Sequence, residues 1–260
     1  MIGAILGDVI GSAYEFNPTN DYDFELFTES SSFTDDTICT IAVADALLKG
    51  NSFEESLRTW CRKYPNPKGG YGYRFSQWVM SEKPKPYNSF GNGSAMRVSP
   101  VAYWYKNEKE VLDAAALTAL PSHNHPEGIK GAQTVALAIF KALEYNSCGK
   151  AADHIDEIIK YCVAFSGYNI DIPKSSVLNK FDETCQGTVP VALKIIKKSK
   201  NFEDAIRSAV CLGADADTLG AIVGSIAEAI WDTPSVFYDK FQEIIPDEMR
   251  KVVEEFQQKL

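Results

Sequence analysis

The sequence predicts an all-α protein, an orthogonal multi-helix bundle folded as a single domain over residues 1–260. Three observations predict it. Apolar residues recur at three- and four-residue spacing over seven long segments. Strand-like alternation is almost absent. A chain of 260 residues with 45% apolar side chains can bury one large core, and no stretch separates two blocks that each look like a complete core.

Taken in order, residues 3–11 carry glycines at Gly3, Gly7 and Gly11. That spacing puts all three on one helix face and lets another backbone come close. Extended onward, the same helix would align Asp8, Ser12 and Glu15 as a polar stripe. The helix 36–49 is announced by Ser32-Phe33-Thr34-Asp35-Asp36-Thr37, an N-cap with acidic residues at the positive end of the helix dipole. Residues 91–97, Gly91-Asn92-Gly93-Ser94-Ala95-Met96-Arg97, form a glycine-rich turn that opens a helical segment. Periodicity alone marks 109–120, 129–144, 151–165, 188–198 and 202–212. The last periodic segment, 217–231, starts with Gly213-Ala214-Asp215-Ala216-Asp217-Thr218. The stretches 16–33, 64–90 and 166–187 have no period and are expected as loops. The first of them joins Glu15 to the acidic cluster and is expected to act as a lid.

Composition narrows the function. A net charge of −9 excludes sequence-independent binding to nucleic-acid backbone, which needs clustered Lys and Arg. Six scattered cysteines, with no CxxC pair and no His at ligand spacing, suit reduced thiols in a cytoplasmic protein better than zinc or a disulfide framework. The N-terminal segment lacks a basic stretch and carries Asp8, unlike a signal peptide. No apolar run reaches the ~18 residues that span a bilayer.

The acidic helix starts hold the chemistry. Capping needs one acceptor per helix, yet each start carries two carboxylates and a threonine. Brought together, four carboxylates need divalent cations to offset their charge, and oxygen-only ligation suits Mg²⁺, Mn²⁺ or Ca²⁺. A two-metal site is therefore expected. The glycine turn at 91–97 is a candidate phosphate cradle. Two of the three histidines lie in Ser122-His123-Asn124-His125-Pro126-Glu127-Gly128, where a ring N–H can serve a ligand phosphate or hydroxyl.

Six pieces in order resemble the ADP-ribosylglycohydrolase family, which includes dinitrogenase-reductase-activating glycohydrolases and eukaryotic ADP-ribosyl-acceptor hydrolases. They are GAILGDVIGSAYE at 3–15, FTDDT at 33–37, GNGSAMR at 91–97, SHNHPEGIKGAQ at 122–133, CQGTVP at 185–190 and GADADTLGAIVGSIAEA at 213–229. The resemblance implies a centre of two Mg²⁺ or Mn²⁺ ions held by Thr34, Asp35, Asp36, Asp215, Asp217 and Thr218. It implies Glu15 as general acid or base, with Asp36 sharing the catalytic site. Gly91, Asn92, Gly93, Ser94, Met96, Arg97 and His123 would hold the pyrophosphate and ribose of ADP-ribose. Gln186, Gly187 and Thr188 would line another wall, and Asp8 would support the site without ligating. The implied partner is an ADP-ribosylated protein or a small ADP-ribose conjugate, handled by a monomer with no membrane contact. Two rivals share these features: a two-metal phosphoesterase or pyrophosphatase, and a catalytically silent crystallin-like member of the fold. The acceptor stays open among arginine, serine, a nucleobase and O-acetyl-ADP-ribose, and Tyr71, Tyr73 and Trp78 are candidates for stacking on adenine or for packing their loop.

Overall fold

The computed structural model describes residues 1–231 and 233–260, and among these there is no strand, only isolated bridges pairing Thr34 with Lys68 and Gly91 with Thr184. The chain runs through α1 (Ile2–Gly11), α2 (Asp35–Lys49), α3 (Phe53–Lys63), α4 (Tyr73–Met80), α5 (Gly93–Met96), α6 (Ser99–Trp104), α7 (Glu108–Ala119) and α8 (Pro126–Asn146). After a 3₁₀ turn come α9 (Ile155–Ser166), α10 (Lys174–Val177), α11 (Cys185–Lys198), α12 (Phe202–Val210), α13 (Ala216–Ile230), α14 (Ser235–Ile244) and α15 (Asp247–Lys259). The all-helical expectation holds. One contiguous apolar cluster runs from α1 to α15.

Its centre is the pair α1 and α13, each buried along nearly its whole length. The glycine face does what its spacing predicts. A Cβ added to Gly7 would lie 2.0 Å from the Gly220 carbonyl oxygen, and one on Gly11 would lie 2.2 Å from that of Ala216. Real side chains never come so near, so only glycine permits this backbone approach. The seam aligns Asp8 and the turn after α1 with the start of α13.

Several local expectations need correction. The stretch 64–90 contains α4, whose Phe75, Trp78 and Val79 recur at helical spacing and are buried. Gly and Pro on its flanks hide that short period. Trp78 packs beside Phe75, with ring centroids 5.4 Å apart, and is not available to stack on a ligand. Within 166–187 lies the single turn α10, and α11 starts at Cys185, capped by the Thr184 hydroxyl accepting from Gly187 N. Helix α5 is one turn long, so the glycine stretch 91–97 opens no extended helix. Helix α1 ends at Gly11, which places Glu15 in the bend beyond it and not on a continuous stripe. The loop 16–33 is anchored in this conformation: Arg207 donates to the carbonyls of Tyr22 and Phe24, Asn20 to that of Cys211, and Phe24 is buried. Opening it as a lid would require those bonds to break.

Candidate active site

A cavity of about 540 Å³ opens where the end of α1, the starts of α2 and α13, α4 and the turns at 89–93 and 123 meet. Glu15, Asp35, Asp36, Asp215, Asp217 and Thr218 share its wall. The chain therefore brings together the acidic residues of both helix starts, some 180 positions apart in sequence.

The start of α2 is built on Asp8, which is wholly buried. Its carboxylate accepts from Thr34 N at 3.0 Å, Thr34 Oγ1 at 2.8 Å, Thr37 N at 3.1 Å and Thr37 Oγ1. Thr34 Oγ1 also accepts from Asp36 N at 3.2 Å, closing the cap. Thr34 thus reaches the site as a cap, and its side chain does not line the cavity. Asp36 Oδ2 accepts from Thr218 Oγ1 at 3.2 Å, while its Oδ1 is buried with no partner. At the start of α13, the Asp215 side chain caps nothing. Its Oδ2 accepts instead from Asn92 Nδ2 at 2.7 Å. Glu15, Asp215 and Asp217 each offer a carboxylate oxygen, and the three atoms lie within 4.8 Å of one another. Glu15 Oε2 is buried and unpartnered.

Burial first, and neighbouring anions second, hold Asp35, Asp36 and Asp215 well above the ordinary carboxylate range. The same causes push Asp8 up to about 7 and Glu15 up to about 8. Lys68, which sequence reasoning missed, partly offsets this charge. Its ammonium donates to Ser12 Oγ at 3.4 Å and to the Ser30 carbonyl, and it pulls the Glu15 pKa downward. Nothing in its Pro- and Gly-rich surroundings signals that position. The next residue, Gly69, has φ +77°, and a Cβ there would stand 2.8 Å from Glu15 Oε2, so the strap lies directly on the carboxyl.

Orphaned buried oxygens on Glu15 and Asp36 beside further carboxylates are what a divalent cation would satisfy. The donor set is all oxygen and fits Mg²⁺ or Mn²⁺.

The opposite wall differs in character. Arg97 is fully buried, and its Nη2 donates to Thr118 O at 2.9 Å and to Ser122 Oγ at 3.0 Å. Ser122 Oγ lies 2.8 Å from His123 Nδ1. Burial, then the charge of Arg97, keeps His123 well below its usual pKa, so the ring is neutral. A Cβ on Gly93 would be 3.1 Å from His123 Nε2, and one on Gly91 3.5 Å. Their missing side chains leave that nitrogen accessible. Met96 also lines the cavity, whereas Ser94 turns away, its hydroxyl donating to Gly128 O at 2.7 Å.

Asn92, in the glycine turn, links the two walls through its bond to Asp215, and it also donates to Thr188 Oγ1 at 3.1 Å. Gln186, Gly187 and Thr188 do not line the main cavity: Gln186 is exposed, and the other two border a smaller pocket on the far side of Asp215. Thr188 acts through Asn92. Gly187 leaves room for Asp182, whose Oδ2 would be 2.1 Å from an added Cβ.

Two buried carboxylate oxygens without partners, facing a glycine and histidine wall, pair with a sequence match. A model of the ADP-ribosylglycohydrolase family matches residues 1–259. The chain belongs to this family. Among relatives, human ADP-ribosylhydrolase ARH3 is 25% identical over 91% of this chain and 85% of its own length. The ADP-ribosylarginine hydrolase Tri1 of Serratia proteamaculans is 23% identical over 92% of this chain and 73% of its own. A solved structure described as an ADP-ribosylglycohydrolase-related protein complex superimposes with a TM-score of 0.68, covering 99% of this chain and 96% of its own at 21% identity, and it supports the fold. Among the described residues, no helix is long and apolar enough to cross a membrane.

Proposed function

We propose that this ADP-ribosylglycohydrolase hydrolyses the glycosidic bond between ADP-ribose and an acceptor on a protein or small conjugate, releasing ADP-ribose and reversing ADP-ribosylation. The observation that carries this is the unpartnered Glu15 Oε2 and Asp36 Oδ1 on one cavity wall, opposite the neutral His123 and the glycine turn. Asp35, Asp36, Asp215, Asp217 and Thr218 would hold two Mg²⁺ or Mn²⁺ ions, with Thr34 fixing the start of α2 beneath them. When bound, such cations neutralise the carboxylates and polarise ribose hydroxyls.

The chain's own residues do the rest. Glycosidic cleavage builds positive charge at the anomeric carbon while the acceptor departs. Glu15, held under the Gly69 strap, takes a proton from the attacking water at Oε2 and returns it to the acceptor. The C–acceptor bond breaks as the C–OH bond forms, so the proton balance closes on one carboxyl. Asp36 lines the same cavity, and its Oδ1 is buried without a hydrogen-bond partner. Gly91, Gly93 and Met96 shape the wall, and His123 Nε2–H donates to the ligand. The six cysteines are free, and we place the enzyme, acting as a monomer, in a reducing cytoplasm.

A panel of ADP-ribosyl-arginine, ADP-ribosyl-serine, O-acetyl-ADP-ribose and ADP-ribosylated DNA tests this, with Mg²⁺ and with EDTA. Free ADP-ribose from at least one substrate, abolished by EDTA, is expected. AMP as product would make the protein a pyrophosphatase, and no product from any substrate would make it a silent relative.

A further inference from the structure

Helix α4 lies in a stretch whose sequence reads as loop, and its first turn brings Arg74 to the cavity wall. Among the described residues, two arginines line that cavity, against the carboxylates of Glu15, Asp35, Asp36, Glu183, Asp215 and Asp217. Arg97 is committed inward, wholly buried and bonded to Thr118 O and Ser122 Oγ. Arg74 is exposed at the cavity. Its guanidinium lies over the Tyr87 ring, 4.8 Å from the centroid, and donates to the Tyr87 carbonyl. The Tyr87 ring in turn stands 6.1 Å from that of His123. This row ends at Gly91 and Gly93, whose missing side chains expose His123 Nε2. The 85–90 segment carrying Tyr87 is itself fixed, because Asn88 N donates to Asn124 Oδ1 at 2.7 Å and Phe90 packs on His125.

We propose that Arg74 is the specificity residue that binds the diphosphate of the ligand, closing an anion subsite formed with His123 Nε2 and the glycine turn. The proposal rests on the ADP-ribose reading of the cavity. A guanidinium presents a planar fork that meets two phosphate oxygens at once, and stacking on Tyr87 holds the fork in plane before the ligand arrives. It also gives a chain of net charge −9 an exposed cation at the cavity to receive a dianion. The preference that follows is for nucleoside diphosphates over uncharged nucleosides.

Calorimetric titration of the full, Mg²⁺-loaded chain with ADP, ADP-ribose and adenosine tests this on wild type, Arg74→Gln and Arg74→Lys, with thermal melts to confirm folding. Arg74→Gln should weaken ADP and ADP-ribose about tenfold or more, the usual effect of losing a charged hydrogen-bond donor. It should leave adenosine unchanged and flatten the dependence of ADP affinity on NaCl. Arg74→Lys should recover part of the affinity and the salt slope, since it keeps the charge without the fork. Unchanged ADP affinity in Arg74→Gln would overturn the proposal. So would a weakening with the wild-type salt slope, which would reduce Arg74 to a prop for the Tyr87 loop. ADP-ribose release is measured on the same three proteins. ADP binding through Arg74 without any release keeps the subsite and sinks the glycohydrolase reading, and release that is indifferent to Arg74 does the reverse.

Discussion

Thr34-Asp35-Asp36-Thr37 and Asp215-Ala216-Asp217-Thr218 each set two aspartates and a threonine at a helix start, and the fold uses them differently. At α2 a threonine is the cap and Asp8 grips both threonines from beneath, so the cap is finished before any ligand arrives. At α13 the capping position goes to Asp215, whose carboxylate turns to Asn92 and caps nothing, while Asp217 Oδ1 accepts from Thr218 N at 2.9 Å. One start is a pedestal, complete in itself. The other gives up its local bond to point acid into the cavity. The same letters mean different things because the partner that decides, Asp8 or Asn92, comes from elsewhere in the chain.

The largest expected effect falls between the two starts, on Glu15. Glu15→Gln should lower kcat by about 10²–10⁴ while sparing ADP-ribose affinity, because an amide can accept a hydrogen bond but cannot carry a proton. A near-normal kcat would move the chemistry back onto the helix starts.

Asp8→Ala and Asp215→Asn set pedestal against pointer. Removing Asp8 strands the buried donors of Thr34 and Thr37 and should destabilise the metal-free fold by about 3 kcal/mol or more. Asp215→Asn caps no less than before and removes one repelling charge, so it should be neutral or stabilising in EDTA. Equal losses in urea unfolding would erase the distinction.

Mg²⁺ should stabilise the wild type by about 2.7 kcal/mol at a hundredfold excess over its Kd, if it binds the folded state alone. Asp217→Asn should be inactive, more stable than wild type in EDTA, and less responsive to Mg²⁺. The same Mg²⁺ increment in both proteins would refute the site.

The smallest effect, per pH unit, is a drift in the metal-free protein. Glu15 rises from 4.5 to about 8 and Asp8 from 3.8 to about 7 on folding, so the folded state keeps protons that the unfolded chain has released. Their contribution is fully present below about pH 4 and is lost as pH climbs toward 8. Asp8 is wholly buried and one proton is worth about 1.4 kcal/mol for each pH unit, so Tm should drift down by roughly 3–5 °C per unit, with Glu15, only half-buried, adding less. Melts in EDTA across that range should fall with pH, and Mg²⁺ should remove the slope. A rising slope would mean that other paired carboxylates dominate.

The bundle and the acidic centre were legible because their signals are local and redundant. Glycine spacing at 3, 7 and 11 foretold a close backbone approach, though not that α13 would make it, and two overloaded helix starts foretold a shared site. Asn92 was legible as a site residue, but its work is done on Asp215 and Thr188 and not on the outer surface of the turn. Gln186 and Gly187 sit outside the main cavity, since a motif string does not say which of its residues face inward. Lys68 and Arg74 were invisible for another reason. Each is one cation in a stretch of Pro, Gly and Tyr, and its meaning comes only from Glu15 or Tyr87, placed against it by the fold.

The α1 and α13 backbones meet with no side chain between them at Gly7 and Gly220. A side-chain interface can trade volume from one partner to the other over successive substitutions, but a contact between two main chains has nothing to trade. That seam sets the separation between Glu15 and Asp217, so the geometry of bond cleavage is closed to gradual revision. Phe16, Tyr73 and Phe181 at the mouth are exposed and can change freely. Acceptor preference can therefore diverge quickly among such proteins while the hydrolytic step stays the same, and redesign of this chain should edit the rim and leave the seam alone.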